Sequence, residues 1–224
     1  PTVTIVSGLL LARLAGPGVS AVMTGFGDLI MRATEMHPFF MGILVSVLVG
    51  VALTLPISSA AICASFGAAG LIGLAGGAAT AGCCAQMVGF AVMSFKENGV
   101  GGLVSQGIGT SMLQMPNILR NPRIWIAPTL ASAVTGPLAT CLFKLQMNGS
   151  PVSSGMGTCG FVGQIGVYTG WVNDVASGAK AAITGFDWLG LILISFVLPA
   201  VLTWLFAIPL RKWGWIKDGD LKLD

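Results

Sequence analysis

Charge is what this chain most lacks. Asp, Glu, Lys and Arg make up 8% of its 224 residues, against about 25% in a soluble domain. Eleven basic and eight acidic side chains cannot cover a water-soluble globule of this size. A disordered chain is excluded too, because disorder goes with high charge and few apolar residues, and here 54% of residues are hydrophobic. The net charge of +3 is scattered, with no basic stripe to neutralise phosphates, so nucleic acid is not an expected partner. Histidine is nearly missing as well. With His37 alone, no His-based metal cluster can form within the chain. The five cysteines, Cys63, Cys83, Cys84, Cys141 and Cys159, never take CxxC spacing and lie in apolar runs. They read as small buried thiols, and no metal or cofactor is expected.

What is present is long apolar sequence. No charged residue lies between His37 and Lys96, and further charge-free runs cover Asn98–Leu119, Ile124–Phe143, Leu145–Asn173 and Trp188–Leu210. Only helices and closed barrels satisfy their backbone in lipid. A barrel would alternate apolar and polar residues over segments of about 10, which this chain does not do. A helix needs about 20 apolar residues to cross. The reading is an all-α, polytopic transmembrane protein embedded in the lipid bilayer.

Along the chain, Pro1–Leu11 is apolar but short, with no charged leader region or cleavage signal. It reads as the tail of a membrane helix that starts before Pro1. Residues 1–224 then form one membrane-embedded domain, truncated at its N-terminus. Ala15–Met36 carries Asp28, Arg32 and Glu35 on one helical face. Pro38–Leu55 is a spanning helix closed by Pro56. In Ile57–Gly82, Ala69, Gly73, Gly77 and Ala81 recur every four residues, which suits close helix approach. Cys83–Phe95 is read as a separate short helix. Trp125–Phe143 is another span, bent at Pro128 and Pro137, and Trp188–Leu210 is the last, with a kink at Pro199. Arg211, Lys212, Lys217 and Lys222 follow it in a short polar tail, which the positive-inside rule puts in the cytoplasm.

Two segments differ from ordinary spans. Gly99–Asn117 and Gly149–Tyr168 are apolar enough to enter a membrane but too rich in Gly, amides and hydroxyls for straight helices. Irregular backbone at membrane depth is tolerated only inside protein or along a wet cavity, and in transporters such broken segments form the substrate site. On that ground Gln86, Glu97, Asn98, Gln106, Gln114, Asn117, Thr158 and Gln164 are candidate lining residues for a small polar solute. Their amides and hydroxyls can hydrogen-bond a polyol, and Glu97 can anchor two hydroxyls. Buried amides need partners, so a solute or ordered water is expected beside them.

Other motifs carry less. Gly155-Met156-Gly157-Thr158-Cys159-Gly160 matches GxGxxG, but no βαβ unit surrounds it. Gly25-Phe26-Gly27-Asp28 matches the GxGD element of intramembrane aspartyl proteases. That chemistry needs a second buried carboxylate; no other Asp here lies within an apolar run, and with one upstream of Pro1 the chain would be such a protease, which stands as the enzyme alternative.

Several ordered motifs resemble a known family. They include Leu55-Pro56-Ile57-Ser58-Ser59, Gly82-Cys83-Cys84-Ala85-Gln86, Gly107-Ile108-Gly109-Thr110-Ser111-Met112-Leu113-Gln114, Asn121-Pro122-Arg123-Ile124-Trp125 and Val162-Gly163-Gln164-Ile165-Gly166. Together they resemble the stand-alone, type 2 enzyme-IIC-like proteins of the phosphotransferase system, a branch that includes the PfoR-type membrane regulator. The resemblance implies a multi-pass homodimer in the bacterial inner membrane, with broken helices and re-entrant hairpins around a polar cavity. It implies a sugar as the solute and a separate cytoplasmic IIB protein that phosphorylates it, so that any phosphoryl transfer needs that partner. A non-transporting sensor is the alternative within the same family.

Overall fold

The computed structural model describes residues 28, 30–66 and 70–223. Gly25–Gly27 of the GxGD motif and Ala69 lie outside them. Among the described residues the chain is helical, with no β-strand beyond an isolated bridge between Gly73 and Met147. The helices are α1 (Pro38–Thr54), α2 (Ser59–Ser65), α3 (Gly73–Met93), α4 (Phe95–Val104), α5 (Met115–Arg120), α6 (Ile126–Pro137), α7 (Pro151–Ser154), α8 (Val162–Ala176), α9 (Gly185–Ile192) and α10 (Leu198–Lys212).

Short 3-10 and π turns join several of them into longer rods. Pro122–Leu142 and Gly185–Lys212 each run as one helix, and with α3 they are long and apolar enough to cross a membrane. At about 1.5 Å per residue, the 21 residues of α3 span about 31 Å, close to the hydrocarbon thickness of about 30 Å. Proline explains part of the irregularity. Leu198 N–H bonds to Leu193 O five residues back, widening the turn just before Pro199, which has no N–H to give. The kink expected at Pro199 thus takes the form of a π turn over Leu193–Val197.

α3 is the axis of the bundle. Every residue from Ala75 to Ala91 is buried, and α1, α6 and α10 pack around it. Small side chains allow this. A Cβ at Gly77 would strike the Leu145 carbonyl, and one at Gly82 the Ser46 carbonyl. Gly73 differs from Gly77 in that small-residue repeat. It has φ +63 and open space around it, so backbone conformation rather than packing requires glycine there. The boundary expected at Gly82–Cys83 is absent, and one helix passes through both residues. An isolated glycine costs a helix about 1 kcal/mol. Close packing on α1 outweighs that cost.

The outer faces are apolar. Phe40 and Leu48 on α1, Leu130 on α6, and Val201 and Trp204 on α10 are exposed, as suits contact with lipid. Charged groups collect at the two ends of α3. Arg32, Glu35, Lys144, Asp174, Lys180 and Asp187 lie toward Gly73. Lys96, Glu97, Arg211, Asp218 and the C-terminal tail lie toward Met93.

Gly82→Ala is expected to lower stability by about 1–3 kcal/mol through overpacking against α1. Gly101→Ala, whose new methyl meets nothing within 4 Å, is expected to stay within about 0.5 kcal/mol of the parent protein. Thermal unfolding of the two purified variants in detergent checks the contrast.

Candidate functional site

Both broken segments are broken in the structure. In the first, Gly99 takes φ 58 inside α4, a π turn covers Ser105–Gly109, Thr110 is extended, and a 3-10 turn covers Ser111–Gln114 before α5. In the second, α7 is one turn long, Gly157 and Gly160 have positive φ, and Phe161 is left-handed just before α8. The two segments meet. The Thr158 hydroxyl donates to Gly107 O at 2.5 Å and lies 3.6 Å from Met87 Sδ. Gly157 presses on Cys83 and Cys84, where any Cβ would strike the α3 backbone. The contact therefore falls on the middle of the central helix.

The eight candidate residues fall into separate groups. Gln86 is fully buried on α3. Its Oε1 accepts from Trp125 Nε1 at 2.9 Å and from Thr54 Oγ1 at 3.5 Å. Its Nε2 donates to Thr129 Oγ1 and Ser132 Oγ, each at 3.4 Å. Thr54 also meets Ser111 Oγ at 2.8 Å, which ties this cluster to the first broken segment.

Asn98, Gln106, Gln114 and Asn117 make a second group, and it holds the C-terminal tail. Gln106 Nε2 donates to Ser94 Oγ at 2.7 Å and to Gly102 O at 3.1 Å. Gln114 Nε2 donates to Gln106 Oε1 at 2.9 Å and to Leu221 O at 3.0 Å. Asn117 Nδ2 donates to Gln114 Oε1 and to Lys222 O, both at 2.9 Å. Asn98 brackets the same strand of tail, giving its Nδ2 to Leu221 O at 2.7 Å and accepting from Leu223 N–H at 2.8 Å. A solute or water was the partner expected for these amides. In this conformation their partners are one another, the tail backbone and, for Gln106, Ser94 and Gly102. The tail is also not simply solvated, because Ile216 and Leu221 are buried in a core with Phe90, Ile118 and Ile124. Ile216 and Leu221, large aliphatic residues set among the charges of that tail, were the sequence signal for that docking.

Glu97 is an ion-pair residue here. Arg211 Nη2 reaches its Oε1 at 3.0 Å and also donates to Met93 O at 3.0 Å, at the end of α3. The Glu97 side chain is 7% exposed. Arg211 Nη1 and Lys96 Nζ both meet Asp218, at 3.3 Å and 3.1 Å. Arg211, Asp218, Trp125 and Ser132 were not among the site residues read from the sequence, because their roles depend on partners far away in it.

Gln164 stands apart. Its Nε2 lies 3.3 Å from Cys84 Sγ, and Ser195 lies beside the same thiol. Gln164 Oε1 and Ser195 Oγ are buried and have no hydrogen-bond partner among the described residues. Buried polar groups are normally paired, so this point between α3, α8 and the π turn before α10 has unused hydrogen-bonding capacity. None of the described His, Cys, Asp or Glu residues form a group of three or more placed to hold a metal.

The ion pairs separate by burial. Glu97→Ala leaves Arg211 with Met93 O and the exposed Asp218 alone and is expected to cost about 1–3 kcal/mol. Lys96→Ala removes a pair whose side chains are 71% and 75% exposed and is expected to cost under about 1 kcal/mol. Asn98→Ala is expected to free the tail, read as faster amide exchange at Leu221–Leu223 with slow exchange preserved through α3. Thermal unfolding and hydrogen exchange measure the three effects.

Among known protein families, the one described as "Phosphotransferase system, EIIC" matches residues 1–223. No curated protein and no solved structure gives a significant match. The match takes in almost the whole chain, and an all-helical protein with apolar spans and two broken segments is in keeping with it. The chain belongs to the phosphotransferase-system EIIC family.

Proposed function

We propose that this transport component binds and moves a small polar solute, a sugar by kinship, at the level of Cys84, and that a separate IIB-type protein phosphorylates it. The observation that carries the reading is the unpartnered Gln164 amide oxygen, buried beside Cys84 on the central helix, against which both broken segments pack. Cys84 is 11 residues into a 21-residue helix, so the spot lies near half the depth of the bundle. A sugar hydroxyl both donates and accepts. It can give a hydrogen bond to Gln164 Oε1 and take one from Ser195.

Thr158 is the second contact in this reading. Its bond to Gly107 O closes one broken segment on the other, and breaking it is the opening step. Gln86, Glu97, Asn98, Gln106, Gln114 and Asn117 already have protein partners. They line the route as the segments part and exchange those bonds for bonds to solute.

The setting is a multi-pass homodimer in the bacterial inner membrane. Lys96, Arg120, Arg123, Arg211, Lys212, Lys217 and Lys222 belong to the Met93 end, whereas Arg32, Lys144 and Lys180 are the described basic residues of the other. By the positive-inside rule the tail end faces the cytoplasm, where a IIB protein would approach.

Counterflow of labelled sugars in proteoliposomes tests the proposal. Gln164→Ala is expected to weaken solute binding about fivefold to tenfold, the equivalent of one hydrogen bond of about 1 kcal/mol. Unchanged binding in both Gln164→Ala and Glu97→Gln would remove the site assignment. Saturable binding without exchange would favour a sensor over a transporter.

A further inference from the structure

A groove of about 1070 Å³ runs between α4 and α10 at the Met93 end of the bundle. It is separate from the proposed solute site. Its walls are apolar, from Phe95 and Leu103 on one side and Trp204 and Ile208 on the other. Phe95 and Trp204 are half exposed, so the groove opens sideways toward lipid. Its rim carries Lys96, Arg211 and Lys212 against a single carboxylate, Asp218. Arg211 is held by Glu97 and Asp218, and Lys96 by Asp218. Lys212 is exposed and has no hydrogen-bond or ion-pair partner among the described residues.

We infer that this groove binds an anionic phospholipid, with an acyl chain against Trp204 and the phosphate at Lys212 and Lys96. The dimensions fit. Eight residues separate Trp204 from Lys212 on α10, about 12 Å along the axis, and the headgroup layer on each side of a bilayer is about 5–8 Å deep. A phosphate level with Lys212 therefore brings the first acyl carbons beside Ile208 and Ala207, and Trp204 meets the chain a few carbons further in. The charge balance selects the headgroup. A zwitterionic lipid brings its own cation to a rim already in cationic excess, while phosphatidylglycerol brings net negative charge. Basic pockets between spanning helices bind anionic headgroups in this way. Asp218 is the internal competitor, because it occupies Lys96 and Arg211 at the position the phosphate approaches.

The test uses the full chain reconstituted in phosphatidylcholine vesicles, with brominated phosphatidylglycerol or brominated phosphatidylcholine quenching tryptophan fluorescence. Trp204→Phe isolates the signal from the groove. The expected result is stronger Trp204 quenching by phosphatidylglycerol, with a preference of about fivefold per engaged cation. Lys96→Gln combined with Lys212→Gln should bring that preference to one. Asp218→Asn should raise it, and Lys222→Gln should leave it unchanged. Free glycerophosphate should not compete, since it lacks the acyl chain. Equal quenching by the two lipids, or a preference that survives loss of both lysines, overturns the inference. So does absent quenching accompanied by Trp204→Cys cross-linking between two copies, which would make the groove a contact between protomers.

Discussion

A polar group carried into the bilayer must find its partner inside the protein, and in this chain that constraint arranges the polar side chains around one helix. α3 consists largely of Gly and Ala, so its neighbours come close enough for side-chain hydroxyls to bond to distant backbone. Ser46 Oγ donates to Ser132 O, and Ser132 Oγ to Gly82 O. Without these small residues, the Gln86 cluster could not close. The same tight axis forces the Gly/Ser-rich segments to lie against α3 rather than cross as helices of their own.

Polar satisfaction is graded along the bundle. Toward the Met93 end the amides of Gln106, Gln114 and Asn117 form a nearly closed circuit. Partly closed circuits cost more than apolar packing, and the tail carbonyls of Leu221 and Lys222 take up the donors that would otherwise be left over. Halfway along α3 the circuit is open at Gln164 and Ser195. Among the described residues the spare hydrogen-bonding capacity falls at Gln164 and Ser195, beside the helix on which both irregular segments lie, and at Thr203, against Gly89.

Much of this was legible in the sequence. Charge-free runs located α1 within a residue, and the Pro122–Leu142 and Gly185–Lys212 helices within about three residues at each end. Breakers and glycines marked both irregular segments. The continuity of α3 was not legible, since a Gly-Cys junction in a small-residue stretch looks like a boundary until Ser46 is known to press on it. The clustering of amides between Gly99 and Asn117 was visible as composition. Their pairing was not, because Asn98 bonds to a residue 123 positions away and Arg211 reaches Glu97 across 114. Hydropathy reads local environment, and these contacts are set by how the chain returns on itself.

The hold on the tail is made by main-chain atoms of Leu221, Lys222 and Leu223, all supplied more than 100 residues after the side chains that receive them. A ribosome adds about 5–20 residues per second, so Gln114 and its neighbours wait on the order of ten seconds for these partners during synthesis. Through that interval the first broken segment has donors with no protein acceptor and must keep them hydrated near the membrane surface. Its burial is therefore a late event in biogenesis, timed by the arrival of Leu221–Leu223 rather than by its own place in the chain.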